Sequence, residues 1–125
     1  MKITTHFCKT SDLGTSGTLF GGQLMYWLDE AAAVYAIRAM GQRRVVTKRF
    51  SEAVFQKPIY QDELVEFYCV DPKPGNTSLS FRVLVKVGDE IRFQTECTFV
   101  AVDEQGHKTP VDWAKSPLVN GRLSD

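Results

Sequence analysis

The sequence has few of the residues that build disulfide frameworks and metal sites. Its 125 residues include three cysteines and two histidines, and no C-x-x-C pair occurs. The cysteines are odd in number and far apart along the chain, which disfavours a disulfide framework. We therefore expect reduced thiols in a cytoplasmic protein, with no metal and no other cofactor.

A net charge of one sign and a long unbroken apolar run are also missing. Fifteen Lys and Arg balance fifteen Asp and Glu, so the formal net charge is zero and no bulk field attracts nucleic acid or anionic lipid. The longest apolar stretch is interrupted by Asp29 and Glu30, and the opening MKITTHFCKTSD turns polar too soon for a signal peptide. We expect neither a nucleic-acid partner nor a membrane partner.

Repeats, linkers and low-complexity tracts are absent as well, so residues 1–125 are predicted to form a single domain. A helix is predicted over residues 22–40, which are rich in Ala, Leu and Met and contain no proline. Gly41 follows, as is common at helix C-termini. Apolar residues occupy almost every side of this helix, a pattern typical of a buried one.

Most of the remaining sequence predicts β-strands, over residues 2–9, 45–55, 63–70, 80–87 and 91–99. Apolar and polar residues alternate in the last two, and Gly88-Asp89 between them is a turn that hairpins favour. The tail after residue 103 is predicted to be irregular. One long helix against one antiparallel sheet is an α+β design, in which the sheet curls around the helix or a second subunit covers it.

Two carboxylates, Asp29 and Glu30, lie in the middle of the predicted helix. No basic residue stands three or four positions from Asp29, so the helix itself offers no ion pair. A buried carboxylate without a partner is costly. The residues leave two interpretations open: one acid faces solvent while the other bonds across a subunit contact, or the acids belong to a functional site.

The paired glycines Gly21 and Gly22 favour the functional interpretation. The first N–H groups of a helix have no intrahelical partner, and they can bind an anion or a developing oxyanion where no side chain blocks the approach. A carbonyl held at the glycines and a water held at Asp29 are a minimal set for acyl-transfer hydrolysis.

Several short motifs follow one another along the chain: G-x-x-F-G-G at 17–22, L-M-x-x-x-D ending at Asp29, V-V-T at 45–47, F-x-K-P at 55–58, G-N-T-S at 75–78 and F-V-A-V-D-E-x-G at 99–106. Together they resemble the hotdog-fold acyl-CoA thioesterases, and most of all the short bacterial acyl-CoA hydrolases and their brain-type relatives. The resemblance implies a long central helix wrapped by a curled antiparallel sheet. It also implies a homodimer as the minimum unit and a hexamer, a trimer of dimers, as the assembly.

The resemblance further implies a site at the dimer interface. The family's catalytic carboxylate corresponds to Asp29, and its oxyanion donor corresponds to the backbone N–H of Gly22. The residues implied for binding the acyl-CoA substrate are Gly21, Thr47, Asn76, Thr77 and Ser78. By its charge, Lys57 is either a further substrate contact, at the phosphates of coenzyme A, or a plain surface lysine. No cofactor is implied, and whether Asp29 activates water or attacks the thioester stays open.

The chain departs from the family pattern in the loop before the glycines. Many relatives have T-N-x-x-G-x-x-F-G-G, whereas this chain has S-D-L-G-T-S-G-T-L-F-G-G. Gly14 or Ser16 stands where an amide is expected, and Asp12 lies nearby. Glu30 has no fixed counterpart in relatives, which favours a structural role for it.

Two other functions compete with hydrolysis. A non-catalytic acyl-CoA or acyl-lipid binding protein can share this fold, and a hydratase would require a histidine beside an acid, for which His6 and His107 are poorly placed. A basic cluster at 43–49 is either a solvated strand end or a contact for the phosphates of coenzyme A.

Overall fold

A five-stranded antiparallel sheet packs around one helix in the computed structural model, which describes residues 1–119 and 122–123. The main elements are β1 (Lys2–Phe7), α1 (Gly21–Met40), β2 (Val45–Phe55), β3 (Leu64–Pro74), β4 (Ser78–Val87) and β5 (Glu90–Ala101). The strand order is β1-β3-β4-β5-β2, so β1 and β2 lie at opposite edges. The predicted α+β hotdog architecture is confirmed.

The helix α1 begins and ends close to the predicted positions. Gly41 follows it in the left-handed conformation, at a φ of 68°, and its N–H donates to the carbonyl of Ile37, which closes the last turn. The face toward the sheet is rich in alanine, which lets the helix approach the strands closely. Its buried residues are Leu24, Trp27, Leu28, Ala31, Ala32, Tyr35, Ala36, Ala39 and Met40.

One face of α1 is open in the single protomer. Tyr26 is 65% exposed and Val34 is 41% exposed, and both Asp29 and Glu30 are exposed. The sheet of one protomer therefore leaves one side of α1 uncovered, and coverage of that side by a second subunit stays a prediction. The sheet is only five strands wide, and it covers α1 from one side.

The hairpin between β4 and β5 matches the sequence prediction. Val87 pairs with Glu90 across the turn, and Gly88 adopts a φ of 60°. Residues that alternate along these strands point to the helix and form the core with β3. The large side chains of this core that lie on the strands and are fully buried are Phe67, Phe81, Phe93, Phe99, Leu79, Val65, Val83 and Val85.

The tail is more ordered than predicted. A short 3-10 helix spans Trp113–Lys115, and Leu118–Val119 pairs with Arg122–Leu123. The Trp113 Nε1 donates to the carbonyl of Gly75 at 2.6 Å, and the Ser116 hydroxyl donates to the carbonyl of Ala39 at 2.6 Å. The prolines and glycines of the tail predict irregular structure. The two hydrogen bonds could not be predicted from local sequence, because their acceptors lie far away along the chain. The predicted tail also includes residues 120–121 and 124–125, which lie outside the described residues.

The edge strand β2 is the least covered strand of the sheet. Within the described part of the chain it pairs with β5 alone, and its register shifts between Thr47 and Arg49 and again between Ser51 and Val54. Val54 and Phe55 are 44% and 48% exposed. The unpaired edge of β2 carries exposed Lys48 and Arg49 as well, and its apolar end at Val54 and Phe55 is a surface for pairing with another strand.

Candidate active site

The loop before α1 delivers the chain to the helix without a capping side chain. Leu19 and Phe20 are tied by their N–H groups to the carbonyls of Ile59, at 2.8 Å, and Asp12, at 2.9 Å. Phe20 occupies the N-cap position but has no side-chain oxygen, and the first intrahelical bond runs from Leu24 N–H to the Phe20 carbonyl. The first N–H groups of α1, including that of Gly22, are therefore left for another acceptor.

Gly22 is exposed at this helix start, and the ring of Phe20 folds next to it. A Cβ at position 22 would lie 2.5 Å from Cε2 of Phe20, closer than real Cβ contacts allow. The absence of a side chain therefore keeps both the ring in place and the backbone amide accessible.

Asp29 lies two turns further along α1 and is bonded to the edge strand. The Thr47 hydroxyl donates a hydrogen bond of 2.9 Å to Oδ1 of Asp29. Since a carboxylate only accepts, the hydroxyl proton must point toward Asp29. Within residues 1–119, Thr47 is the one donor to this side chain, so Oδ2 stays available as a base or nucleophile.

An open groove of about 440 Å³ joins these groups. Its lining residues are Gly22, Met25, Tyr26, Asp29, Glu30, Ala33 and Phe50. Those on the helix recur at three- and four-residue spacing, which puts them on one side of α1. Gly22 and Asp29 are separated by about 10 Å of helix rise, and helical side chains lean toward the N-terminus, which brings the carboxylate closer to the Gly22 amide.

Gly21 and Lys57 do not line this groove. They line a second cavity of about 370 Å³ together with Phe55 and Ile59. Lys57 Nζ lies 2.6 Å from Oε2 of Glu90, in an exposed ion pair. In one protomer, then, Lys57 is engaged by its own chain.

The turn Asn76-Thr77-Ser78 lies away from the groove in one protomer. Ser78 pairs with Val100, which also pairs with Val46, so the turn lies near the start of β2 and the C-terminal end of α1. The carbonyls of Asn76 and Thr77 accept from Val111, at 2.9 Å, and Ala101, at 2.8 Å. These backbone bonds make the turn rigid.

The sequence interpretation missed Phe50 as a groove residue. Helical spacing from Gly22 and Asp29 was a usable signal for Met25, Tyr26 and Ala33. Phe50 carried no such signal, because its position depends on the packing of β2 beside α1. A second missed feature is a hydrogen bond of 3.2 Å from Gln23 to the buried Asp12.

The histidines and cysteines stay outside this site. His6 stacks on Trp27, with ring centroids 4.5 Å apart, on the side of α1 that faces β1. The three cysteines are free and buried, and burial raises the pKa of Cys69 to about 12. Among residues 1–119 and 122–123, no group of three or more His, Cys, Asp or Glu could hold a metal ion.

The helix α1 starts at a Gly-Gly pair, carries an aspartate two turns later and packs on a curled five-stranded sheet. Residues 16–93 match the thioesterase superfamily, and the chain belongs to this family. The family resemblance predicted from the motifs is confirmed.

Similar proteins carry names that specify the thioester. The chain is 33% identical to the uncharacterized acyl-CoA thioester hydrolase YkhA of Bacillus subtilis, over 86% of this chain and 72% of that protein. It is 34% identical to the acyl-CoA thioester hydrolase YciA of Salmonella typhimurium, over 81% of this chain and 82% of that protein.

Solved structures agree on the fold. The hexameric thioesterase y2039 of Yersinia pestis superposes with a TM-score of 0.83 at 27% identity, covering 89% of this chain and 94% of that one. An acyl-CoA hydrolase of Staphylococcus aureus, solved with butyryl coenzyme A and coenzyme A, gives 0.77 at 29% identity, covering 86% of this chain and 66% of that one. In the described part of the present chain, no helix is both long enough and apolar enough to cross a membrane.

Proposed function

We propose that this chain hydrolyses acyl-CoA thioesters in the groove that Gly22 and Asp29 share. The observation that carries the proposal is the arrangement of an accessible helix-start amide and an aspartate oriented by Thr47 on one groove. The substrate class comes from the names of the relatives, which are called acyl-CoA thioester hydrolases. The same groove could act on different acyl-CoAs, because all of them present the same thioester carbonyl.

The reaction uses the two ends of the groove for different tasks. The thioester carbonyl oxygen accepts from the Gly22 N–H, and the positive end of α1 stabilises the negative charge that grows on that oxygen. Asp29 takes a proton from water as the water oxygen bonds to the carbonyl carbon. The C–S bond then breaks, and the proton passes to the departing thiolate, which gives the free acid and coenzyme A.

Nucleophilic attack by Asp29 on the thioester carbonyl carbon is the alternative course, and it uses the same free carboxylate oxygen. Oδ2 would bond to the carbonyl carbon as the C–S bond breaks and coenzyme A leaves as the thiolate. Water would then add to Cγ of Asp29 and cleave the anhydride, which releases the free acid, restores the carboxylate and supplies a proton to the thiolate. The Thr47 hydrogen bond serves either course, because it orients the carboxylate and leaves one oxygen to react.

A second copy of the chain completes the site. In one protomer the groove is open along the exposed face of α1, and the adjoining strand β2 has a free apolar edge. Pairing of β2 edges would join two sheets and cover both grooves. The facing protomer would then bring Lys57 and the turn Asn76-Thr77-Ser78 toward substrate, and the homodimers would assemble as hexamers, as in the similar structures. The cytoplasmic location stays a prediction.

The basic cluster at the start of β2 suits the phosphates of coenzyme A. Arg43, Lys48 and Arg49 are exposed, and Arg44 lies 3.9 Å from Glu104 in a loose exposed pair. Weakly engaged guanidinium and ammonium groups retain the capacity to bind phosphate.

Thiol release from a panel of acyl-CoAs of increasing chain length tests the proposal, with wild type compared with Asp29→Asn. The expected result is hydrolysis by wild type and a loss of at least about a hundredfold in kcat for the variant. Glu30→Gln, which changes the neighbouring acid of the same groove, is the matched comparison and should lose far less. Equal losses of kcat in the two variants would contradict the assignment of Asp29 as the catalytic carboxylate.

A single turnover in ¹⁸O-labelled water separates the two courses. Labelled acid in the first turnover indicates direct attack by water. Unlabelled acid indicates that an oxygen of Asp29 was transferred.

A non-catalytic acyl-CoA binding protein is the second candidate. The loop that carries an amide in relatives instead closes on itself here, with Gly14 N–H donating to the Thr18 carbonyl at 2.8 Å and the Ser16 and Thr18 hydroxyls 3.0 Å apart. Binding of acyl-CoA without thiol release from any member of the panel would establish this function.

A further inference from the structure

We propose that Asp12 is a positioning residue that holds the first turn of α1, and with it the Gly22 amide, through Gln23. The inference rests on the proposed function, because it assigns the oxyanion to the Gly22 N–H.

Asp12 carries a carboxyl group and is almost fully buried, with 6% of its surface exposed. Its Oδ2 accepts from the backbone N–H of Lys9 at 2.9 Å, and its Oδ1 accepts from Nε2 of Gln23 at 3.2 Å. A buried carboxylate is retained only where donors satisfy it, because an unsatisfied one is costly. Both donors here come from segments that meet at the start of α1.

The backbone of Asp12 reinforces the same junction. Its carbonyl accepts from the N–H of Phe20 at 2.9 Å, and its own N–H donates to Lys9 at 2.9 Å. Phe20 is the residue before the helix and Gln23 is in its first turn, so Asp12 contacts the chain on both sides of Gly21 and Gly22. The two glycines, which stiffen the backbone least of all residues, thus lie between a contact to the backbone of Asp12 and a contact to its side chain.

The chemistry of the junction calls for a group that only accepts. A backbone N–H and an amide NH₂ both donate to Asp12, and an ionised carboxylate is the side chain that accepts from both. The start of a helix also favours a nearby negative charge. An asparagine at this place could still accept from Lys9, provided that Gln23 turned its amide over to present oxygen.

Loss of this hydrogen bond should act on the transition state more than on substrate binding. The oxyanion forms only as the carbonyl is attacked. A displaced Gly22 amide therefore weakens its hydrogen bond to the oxyanion more than its hydrogen bond to the carbonyl oxygen of bound substrate. A misplacement of about 1 Å can cost up to about a hundredfold in rate. The signature is therefore a lower kcat with an almost unchanged KM.

The experiment uses Gln23→Met, which keeps the side-chain length and removes the hydrogen bond without adding charge. We expect kcat to fall by about tenfold or more, KM to stay within about twofold, and the melting temperature to show a folded protein. Asp12→Asn should keep most of the wild-type kcat, because Gln23 can turn its amide.

A double exchange provides the decisive comparison. Gln23→Glu alone sets two carboxylates against each other and should lower kcat at least as much as Gln23→Met. Adding Asp12→Asn restores a donor–acceptor pair with the polarity reversed and the original net charge, so the double variant should recover kcat. This recovery is not expected of residues that merely fill space.

The outcomes separate the two proposals. Wild-type kcat in Gln23→Met, or no recovery in the folded double variant, overturns the role of Asp12 while hydrolysis stands. Absence of thiol release by wild type would instead remove the proposed function, and the positioning role with it.

Discussion

The Thr47 hydroxyl and the Asp29 carboxylate are joined by a hydrogen bond of 2.9 Å that links the edge strand β2 to the middle of α1. Thr47 lies immediately before a shift in the register of β2. The carboxylate is exposed in one protomer, so this bond is what orients it among the described residues.

Thr47→Val removes the hydroxyl and preserves the shape of the side chain. We expect kcat to fall by roughly tenfold to a hundredfold, since a hydrogen bond to a charged group contributes about 1.5–3 kcal/mol. Steady-state kinetics on the best acyl-CoA would measure the loss. Thr47→Ser, which keeps the hydroxyl, should retain most of the rate; equal rates in the two variants would show that the hydroxyl is idle.

Gly22→Ala should abolish most activity while the protein stays folded. The new methyl group meets the ring of Phe20 and narrows the approach to the amide. The backbone N–H remains in this variant, so the loss comes from the blocked approach and should not exceed the roughly hundredfold to thousandfold in kcat that removal of an oxyanion donor costs. Phe20→Ala combined with Gly22→Ala relieves the clash with the ring but should leave kcat low. Recovery in that double variant would place the defect in the ring and not at the amide.

Val54→Lys should weaken the association of protomers. The side chain lies on the apolar edge of β2, and a lysine there opposes strand pairing. Light scattering after gel filtration should show a shift toward the 14.1 kDa monomer with a parallel loss of thioesterase activity. Gln105→Lys adds the same charge in an exposed turn and should leave the assembly intact. An unchanged mass for Val54→Lys would exclude this edge as the interface.

The stability of the protein should fall as the pH drops below about 6.5, because of His6. Burial against Trp27 lowers the pKa of His6 from its ordinary value of about 6.5, although the charges of Glu30 and Asp12 oppose the shift. The Nε2 atom is buried and has no hydrogen-bond partner among the described residues. The unfolded chain therefore binds a proton in a range where the native chain does not, and acidification favours unfolding.

His6→Phe, which keeps an aromatic ring on Trp27, should flatten this dependence between about pH 7 and pH 5. Urea unfolding across that range would measure it, and His107→Gln provides the comparison at the exposed histidine. A separate loss of stability is expected at lower pH. The Arg92 guanidinium holds the pKa of Glu63 below its ordinary value of about 4.5, so protonation of Glu63 below that value favours the unfolded chain. If His6→Phe kept the wild-type slope above pH 5, His6 would not be its source.

The three cysteines should not react with a thiol reagent in the native protein. All are buried, and burial raises the pKa of each thiol, that of Cys69 to about 12. Thiolate is the reactive form, so both access and chemistry oppose modification. A chromogenic disulfide reagent should detect three thiols after denaturation and almost none before it. Rapid reaction of a native thiol would contradict the packing of the core.

Much of the fold followed from local pattern. The extent of α1 and the turn at Gly88 depend on residues within a few positions of each other, and for this reason the predicted bounds agree with the structure to within a few residues. The tail is more ordered than predicted for the opposite reason, since Trp113 and Ser116 find their hydrogen-bond acceptors at Gly75 and Ala39, far away in sequence.

The candidate site divides in the same way. The sequence by itself determined the family, the helix, and the spacing that puts Gly22 and Asp29 on one side of it, because helical periodicity converts sequence distance into direction. Only the tertiary structure decided that Thr47 bonds to Asp29, that Phe50 lines the groove, and that Asp12 bonds to Gln23. Those contacts join segments whose approach depends on how the whole sheet packs against α1, which no local pattern of residues encodes.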